Sequence, residues 1–102
     1  MYKLYIGLKD KDTKKQKMPT FLAARQIEKI VCDYIGGATI YRARGCYRHE
    51  NGQVVRENTI IVETTCDSEE TVMDCVMTLK TRFNQESIGF MNTATDTDIL
   101  YK

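Results

Sequence analysis

The sequence has one histidine, one proline and no tryptophan. Its four cysteines, Cys32, Cys46, Cys66 and Cys75, form no CxxC or CxxxxC pair. With a single histidine beside them, no zinc site is expected, and no metal is assigned. Long apolar runs are missing. Nothing approaches the roughly 20 residues of a membrane span, and no apolar stretch follows Lys3 as it would in an export signal. The expected setting is cytoplasmic, where the cysteines are expected to stay as buried free thiols, with a disulfide as the lesser alternative. Net charge is nearly absent, at +1, so nothing drives the chain as a whole toward nucleic acid or an anionic membrane. A serine-hydrolase elbow, a phosphate loop and a dinucleotide fingerprint are all lacking. No cofactor is therefore assigned, and catalysis is not the leading expectation.

What is present is ordinary globular material: 102 residues, 42% hydrophobic and 28% charged. One domain over 1–102 is expected, since two cores would be too small. The charge is segregated. Residues 1–50 carry eleven Lys or Arg against five Asp or Glu, and residues 51–102 carry four against nine. Such a dipolar surface favours guided encounter or self-association.

The strongest β signal runs from Val54 to Cys66, centred on Thr59-Ile60-Ile61-Val62. Ala38 to Tyr47 is its partner, with Asn51-Gly52 turning between them. Gly45 is expected to mark a bulge. Tyr2 to Leu8 alternates, with Tyr2, Leu4, Ile6 and Leu8 inward and Lys3, Tyr5 and Gly7 outward. Gly7 leaves the backbone beside Tyr5 open to close approach. Lys9 to Pro19 holds five lysines and reads as a mobile loop. A helix follows, capped by Thr20 and ended at Gly36-Gly37, with Phe21, Ala24, Ile27, Ile30, Val31 and Tyr34 as its apolar stripe. A second helix starts after Cys66, where Asp67 and Glu70 form a capping box. Val72, Val76, Leu79 and Phe83 form its buried stripe, with Cys75 alongside. Gln85 to Met91 suggests a fourth strand, and 98–101 a final extension. The order is strand, helix, strand, strand, helix, strand. It predicts an α+β, ferredoxin-like β-α-β-β-α-β sandwich, a four-stranded antiparallel sheet with two helices on one face.

The latter two thirds of the chain resembles a family of small ferredoxin-like proteins of unknown function. The hairpin with Gly45, the step Val55-Arg56-Glu57 and the run Phe83-Asn84-Gln85-Glu86-Ser87-Ile88 carry the resemblance. It implies the same fold and leaves activity open. Many members look secreted, whereas this chain lacks an export signal and has the lysine-rich loop. Its small size is also similar to that of phage or mobile-element proteins.

The open sheet face is expected to carry Tyr5, Tyr41, Tyr47 and Ile61, a half-apolar surface suited to a second copy or a ligand. Arg42, Arg44 and Arg48 alternate on one strand and form the best anion-binding cluster, because each guanidinium donates two parallel hydrogen bonds. Tyr5, Tyr47 and Glu57 complete the candidate ligand site. Glu57 can also pair with Arg42 or Arg44 across the hairpin. His49 sits at the hairpin tip, where a surface turn role is expected. Gln85 and Glu86 either face the pocket or serve the helix end. Asp96 and Asp98 lack the spacing and glycine of a calcium loop.

The leading functional expectation is a non-catalytic homo-oligomer, a dimer or larger. It would contact a host protein as a phage-type inhibitor, or sequester a small anionic ligand. A nucleic-acid-binding module is the alternative, using the arginine strand with Lys9, Lys11, Lys14, Lys15 and Lys17. A small enzyme with a catalytic Tyr5, Glu57 or His49 is the third.

Overall fold

The computed structural model describes residues 1–66 and 68–92. Their elements are β1 (Tyr2–Gly7), α1 (Thr20–Ile35), β2 (Thr39–Arg48), β3 (Val54–Thr64), α2 (Glu69–Arg82) and β4 (Gly89–Asn92). The strands form one antiparallel sheet in the order β2-β3-β1-β4. This is the α+β sandwich that the strand and helix order predicts. The expected final extension over 98–101, with Asp96 and Asp98, lies outside the described residues.

Period-two patterning puts Leu4 and Ile6 of β1 and Ile60 and Val62 of β3 on the inner face, each with no exposed surface. Ala23, Ile27 and Val31 of α1 meet them from above, as do Val72, Cys75 and Leu79 of α2. The α1 stripe is rotated from the expected one. Its buried residues follow i, i+4, i+8 spacing on Ala23, while Phe21 is 54% exposed at the helix entrance and Tyr34 is 40% exposed in the last turn. The Tyr34 hydroxyl instead meets the Thr78 hydroxyl of α2 at 2.6 Å.

The helix ends also differ in detail. Pro19 holds the N-cap position of α1, Thr20 is its first residue, and no side chain caps it. Gly36 ends the helix in the left-handed region, φ 91°, as expected. Ser68 caps α2, its hydroxyl accepting from the Thr71 N–H at 3.2 Å. Asp67, the expected cap, lies outside the described residues. Glu69 and Glu70 in the first turn and Lys80 and Arg82 in the last suit the helix dipole.

Two further expectations are corrected. Pairing of β2 with β3 runs unbroken from Thr39↔Glu63 to Arg48↔Val54, so Gly45 makes no bulge and faces Glu57 directly. All four cysteines are free, but only Cys75 is buried; Cys32 and Cys46 are exposed and Cys66 is half-buried. An edge strand and an outer helix face leave those thiols uncovered. No helix among the described residues is long and apolar enough to cross a membrane.

Candidate functional site: a glycine-floored cleft on the open sheet face

The face of the sheet away from the helices has a defined grid. Tyr41, Ile61, Tyr5 and Gly89 lie in one row. Ala43, Thr59 and Gly7 form the next, followed by Gly45 with Glu57 and then Tyr47 with Val55. Small residues therefore keep the centre low. Taller side chains stand around it, and a cleft of about 720 Å³ opens over this floor. Tyr5 bounds one side and Tyr47 with His49 the other; the third wall is Lys9, Lys11 and Lys14, with Gln85, Glu86 and Ser87 beside it.

Glu57 is the fixed carboxylate of the cleft. Its Oε2 accepts from the backbone N–H of Lys9 at 2.8 Å. Its carboxylate also lies directly over Gly7, where an added Cβ would stand 2.5 Å from Oε1. Gly7 is thus a floor that only glycine provides without moving Glu57. Gly89 plays a similar part under Tyr5: an added Cβ there would come within 3.2 Å of the ring atom Cδ2. The Tyr47 and His49 rings meet edge to face, centroids 5.3 Å apart.

The lysine-rich segment is folded around a buried Asp10. Backbone N–H groups of Asp12 and Thr13 donate to its Oδ1 at 2.8 and 2.9 Å. The Asn84 side-chain amide donates to Oδ2 at 2.9 Å, and the Lys17 ammonium lies 2.8 Å from the same oxygen. Lys17, followed by these other donors, holds the Asp10 carboxyl well below the usual range. An antiparallel bridge joins Lys9 to Gln16, and Gln16 accepts from the Asn58 amide at 2.9 Å. Asn84 itself adopts φ 47°, in the left-handed region that asparagine tolerates. The Gln85 amide donates to the Lys9 carbonyl at 2.7 Å. Both polar groups of the Lys9 backbone are thereby used, one on Glu57 and one on the segment after α2.

A second polar group sits at the far end of the same face. The Tyr41 hydroxyl donates to Glu63 Oε1 at 2.6 Å, and the Lys3 ammonium lies 3.4 Å from that oxygen. Tyr41, and then Lys3, hold Glu63 below its ordinary range; the same contact raises Tyr41.

The expected ligand site divides in two. Tyr5, Tyr47 and Glu57 share the cleft. Arg42, Arg44 and Arg48 do not, because the unbroken register leaves even-numbered β2 residues on the helix side. Glu57 accordingly pairs with neither Arg42 nor Arg44; its register partner is Gly45. Of the loop lysines, Lys9, Lys11 and Lys14 line the cleft, and Lys17 serves Asp10. Lys15 contributes its carbonyl to the Asp10 N–H at 2.9 Å and does not line the cleft. Residue-type reasoning missed Asp10 and Asn84. The signal was present, since Asp10 followed by Asp12 and Thr13 is the pattern of an aspartate accepting from amides two and three residues on. No cluster of metal-ligating side chains occurs among the described residues.

The model of DUF3574, a protein family of unknown function, matches residues 1–98. This chain belongs to the DUF3574 family. No curated protein matches it. Among solved structures, the DUF3574 chain is similar to a phage SAM lyase in complex with S-methyl-5'-thioadenosine. The TM-score is 0.61 at 21% identity, covering 87% of this chain and 75% of the lyase. CutA1 from Pyrococcus horikoshii is also similar, with TM-score 0.52, 16% identity, and 89% and 79% of the two chains covered. CutA from Synechococcus elongatus PCC7942 gives 0.52 at 14%, covering 88% and 72%. At these identities the likeness establishes a shared fold.

Proposed function

We propose that this DUF3574 protein binds a small nucleoside-type molecule in the open-face cleft, of the kind held by the similar phage lyase: a 5'-thioether nucleoside or its sulfonium parent. The observation that carries this reading is the Glu57 carboxylate, held over a bare glycine floor between two tyrosines. A floor of Gly7 and Gly45 lets a flat heterocycle approach the backbone. Tyr5 and Tyr47 offer rings for stacking, worth about 1–3 kcal/mol per base in other proteins. The free lone pairs of Glu57 suit an N–H donor or a positive sulfur. Lys9, Lys11 and Lys14 suit an anionic group at the other end. A volume of 720 Å³ falls within the range of small-molecule sites.

The protein is further proposed to act as a homo-oligomer. β2 is a ten-residue edge strand, with Tyr41 and Tyr47 exposed along it. Such edges are usually covered.

Isothermal titration with S-methyl-5'-thioadenosine and with SAM tests the binding reading. Saturable heat is expected for at least one, weakened at least tenfold by Glu57→Gln, which keeps shape and removes charge. No heat with either at millimolar ligand would refute it. Product analysis of the SAM titration separates binding from turnover: intact SAM supports a binding protein, and a released thionucleoside makes Glu57 the first candidate acid or base.

A further inference from the structure

β1 pairs with β3 only from Thr59 onward, through Gly7↔Thr59. The segments Gly45–Arg48 and Val54–Glu57 therefore continue past the sheet as a two-stranded ribbon. On its helix-side face Arg42, Arg44 and Arg48 alternate. The place of the missing arginine, at Cys46, is filled from across the hairpin by Arg56, its register partner. The result is a continuous row about 20 Å long, six strand residues at roughly 3.3 Å each. All four arginines are exposed. The ion pairs among the described residues are Lys3–Glu63 and Lys17–Asp10, so this row has no carboxylate partner among the described residues. Glu28 of α1 only lines the groove beside Arg42.

The complementary surface lies on α2. Glu70, Met73, Asp74 and Met77 follow i, i+3, i+4, i+7 spacing and make one outward stripe. Met73 is 39% exposed and Met77 58%, and both acids are exposed. Glu70 and Asp74 stand about 6 Å apart along the helix. Alternate strand residues stand about 6.6 Å apart. The two charge spacings agree to within about an ångström. Within one chain the tip of the row is distant from the start of α2: eleven residues of β3, about 33 Å, separate the hairpin tip from the segment that leads into α2.

We propose that the arginine row of one copy docks on the acidic, methionine-bearing face of α2 in a second copy. This rests on the self-association proposed above and names its surfaces. The two patches differ, so the contact is head to tail and repeats into a ring or a filament. A second copy fits better than nucleic acid for two reasons. The partner face presents apolar methionines, matched by Val54 (42% exposed) on the ribbon. The basic first half of the chain is also balanced by the acidic second half, so each copy carries both members of the pair.

Sedimentation velocity on complementary charge reversals tests it. Wild type is expected to assemble at micromolar concentration. R44E/R56E and E70K/D74K are each expected to sediment as monomers with unchanged circular dichroism. Their equimolar mixture is expected to reassemble, because one heterotypic contact is the native one and the other pairs the two reversed, again opposite, charge sets. Should either reversal perturb the fold, R44A/R56A is expected to weaken association about tenfold or more. Reversal variants that assemble like wild type would overturn this interface and leave self-association standing. A monomeric wild type would overturn both. If R44E/R56E assembles normally but loses salt-sensitive binding to a fluorescein-labelled DNA duplex, the row belongs to phosphate and the proposal falls.

Discussion

Replacing Gly7 by alanine is a direct probe of the cleft, because its consequence follows from a distance. The new Cβ would stand 2.5 Å from Glu57 Oε1 and 2.6 Å from Cδ and Oε2. Ordinary contact begins near 3.4 Å, so the whole carboxylate must retreat by about 0.9 Å. It cannot do so and keep its 2.8 Å bond from the Lys9 N–H. The obstacle is the end of a flexible side chain and not backbone, so the strand should survive. Losing a hydrogen bond to a charged acceptor costs about 1.5–3 kcal/mol, nearer the lower end for this half-buried group. Glycine-to-alanine replacement at an ordinary backbone angle returns about 0.4–1 kcal/mol through the unfolded state. The net loss is about 1 kcal/mol, a fall of about 4–8 °C in melting temperature for a chain of this size. Ligand affinity should fall about tenfold or more, because the displaced carboxylate no longer meets the ligand as placed. A thermal melt and a titration on each of wild type, G7A, E57A and G7A/E57A separate the two effects. In the E57A background, G7A should become neutral or slightly stabilising. If G7A costs as much stability there as in wild type, the clash is with something other than Glu57 and the reasoning fails. Gly45→Ala is the contrast: its Cβ would meet the Thr59 hydroxyl at 3.2 Å and the Glu57 carbonyl oxygen at 3.9 Å, and should be close to neutral.

Acid sensitivity should report on Asp10 and Glu63. Both carboxyls are held below their ordinary range, so the stability they supply is present above the unfolded value and is lost as pH falls toward the folded one. Denaturant midpoints measured from pH 6 down to pH 2 should decline in wild type. Asp10→Asn should start lower at pH 6 and decline less steeply. Leu79→Ala, at a fully buried site between α2 and the sheet, should cost about 2–5 kcal/mol in urea unfolding. Burial pushes the Cys75 thiol up to about 11. A thiol reagent at pH 8 should therefore label exposed Cys32 and Cys46 quickly and Cys75 only on unfolding.

The fold was legible where one period dominated. Tyr2–Gly7 and Thr59–Val62 alternate cleanly against a single apolar interior, and α2 repeats Val72, Val76 and Leu79 at helical spacing. The α1 stripe departs from expectation because Phe21 and Tyr34 have large apolar surfaces but sit in terminal turns, where they stay exposed. Hydrophobicity alone does not reveal that boundary. The site was half legible for a related reason. Alternation along β2 puts Tyr47 and Arg44 on opposite faces, because the register is unbroken at Gly45, so the expected site splits. What remained hidden was the fold of the lysine-rich segment. Five like charges suggest mutual repulsion, yet Lys17 points inward to Asp10 while Lys9, Lys11 and Lys14 line the cleft. One buried carboxylate with four donors reverses a reading that charge counting makes natural.

That buried carboxylate also explains how distant parts of the chain meet at the cleft. Asn84 and Gln85 follow α2, and Asp10 follows β1, more than seventy residues apart. Asn84 ties the α2 end to Asp10, and its carbonyl accepts from the Lys11 N–H at 3.0 Å. Gln85 then takes the Lys9 carbonyl, and the Lys9 N–H takes Glu57. The Lys9 carbonyl and N–H lie in adjacent rigid peptide planes joined at the Lys9 Cα, so anchoring the carbonyl limits the rotation about that Cα by which the N–H tether of Glu57 could swing away. Gln85→Ala should therefore loosen Glu57 through the Lys9 backbone. Its expected signature is a several-fold loss of affinity for whichever of S-methyl-5'-thioadenosine or SAM binds the wild type. Pre-exchange with G7A should be telling: once alanine at position 7 has already displaced Glu57, adding Gln85→Ala should cost little further affinity. Additive losses in that double variant would mean that Gln85 acts on the ligand itself and not through the Lys9 peptide.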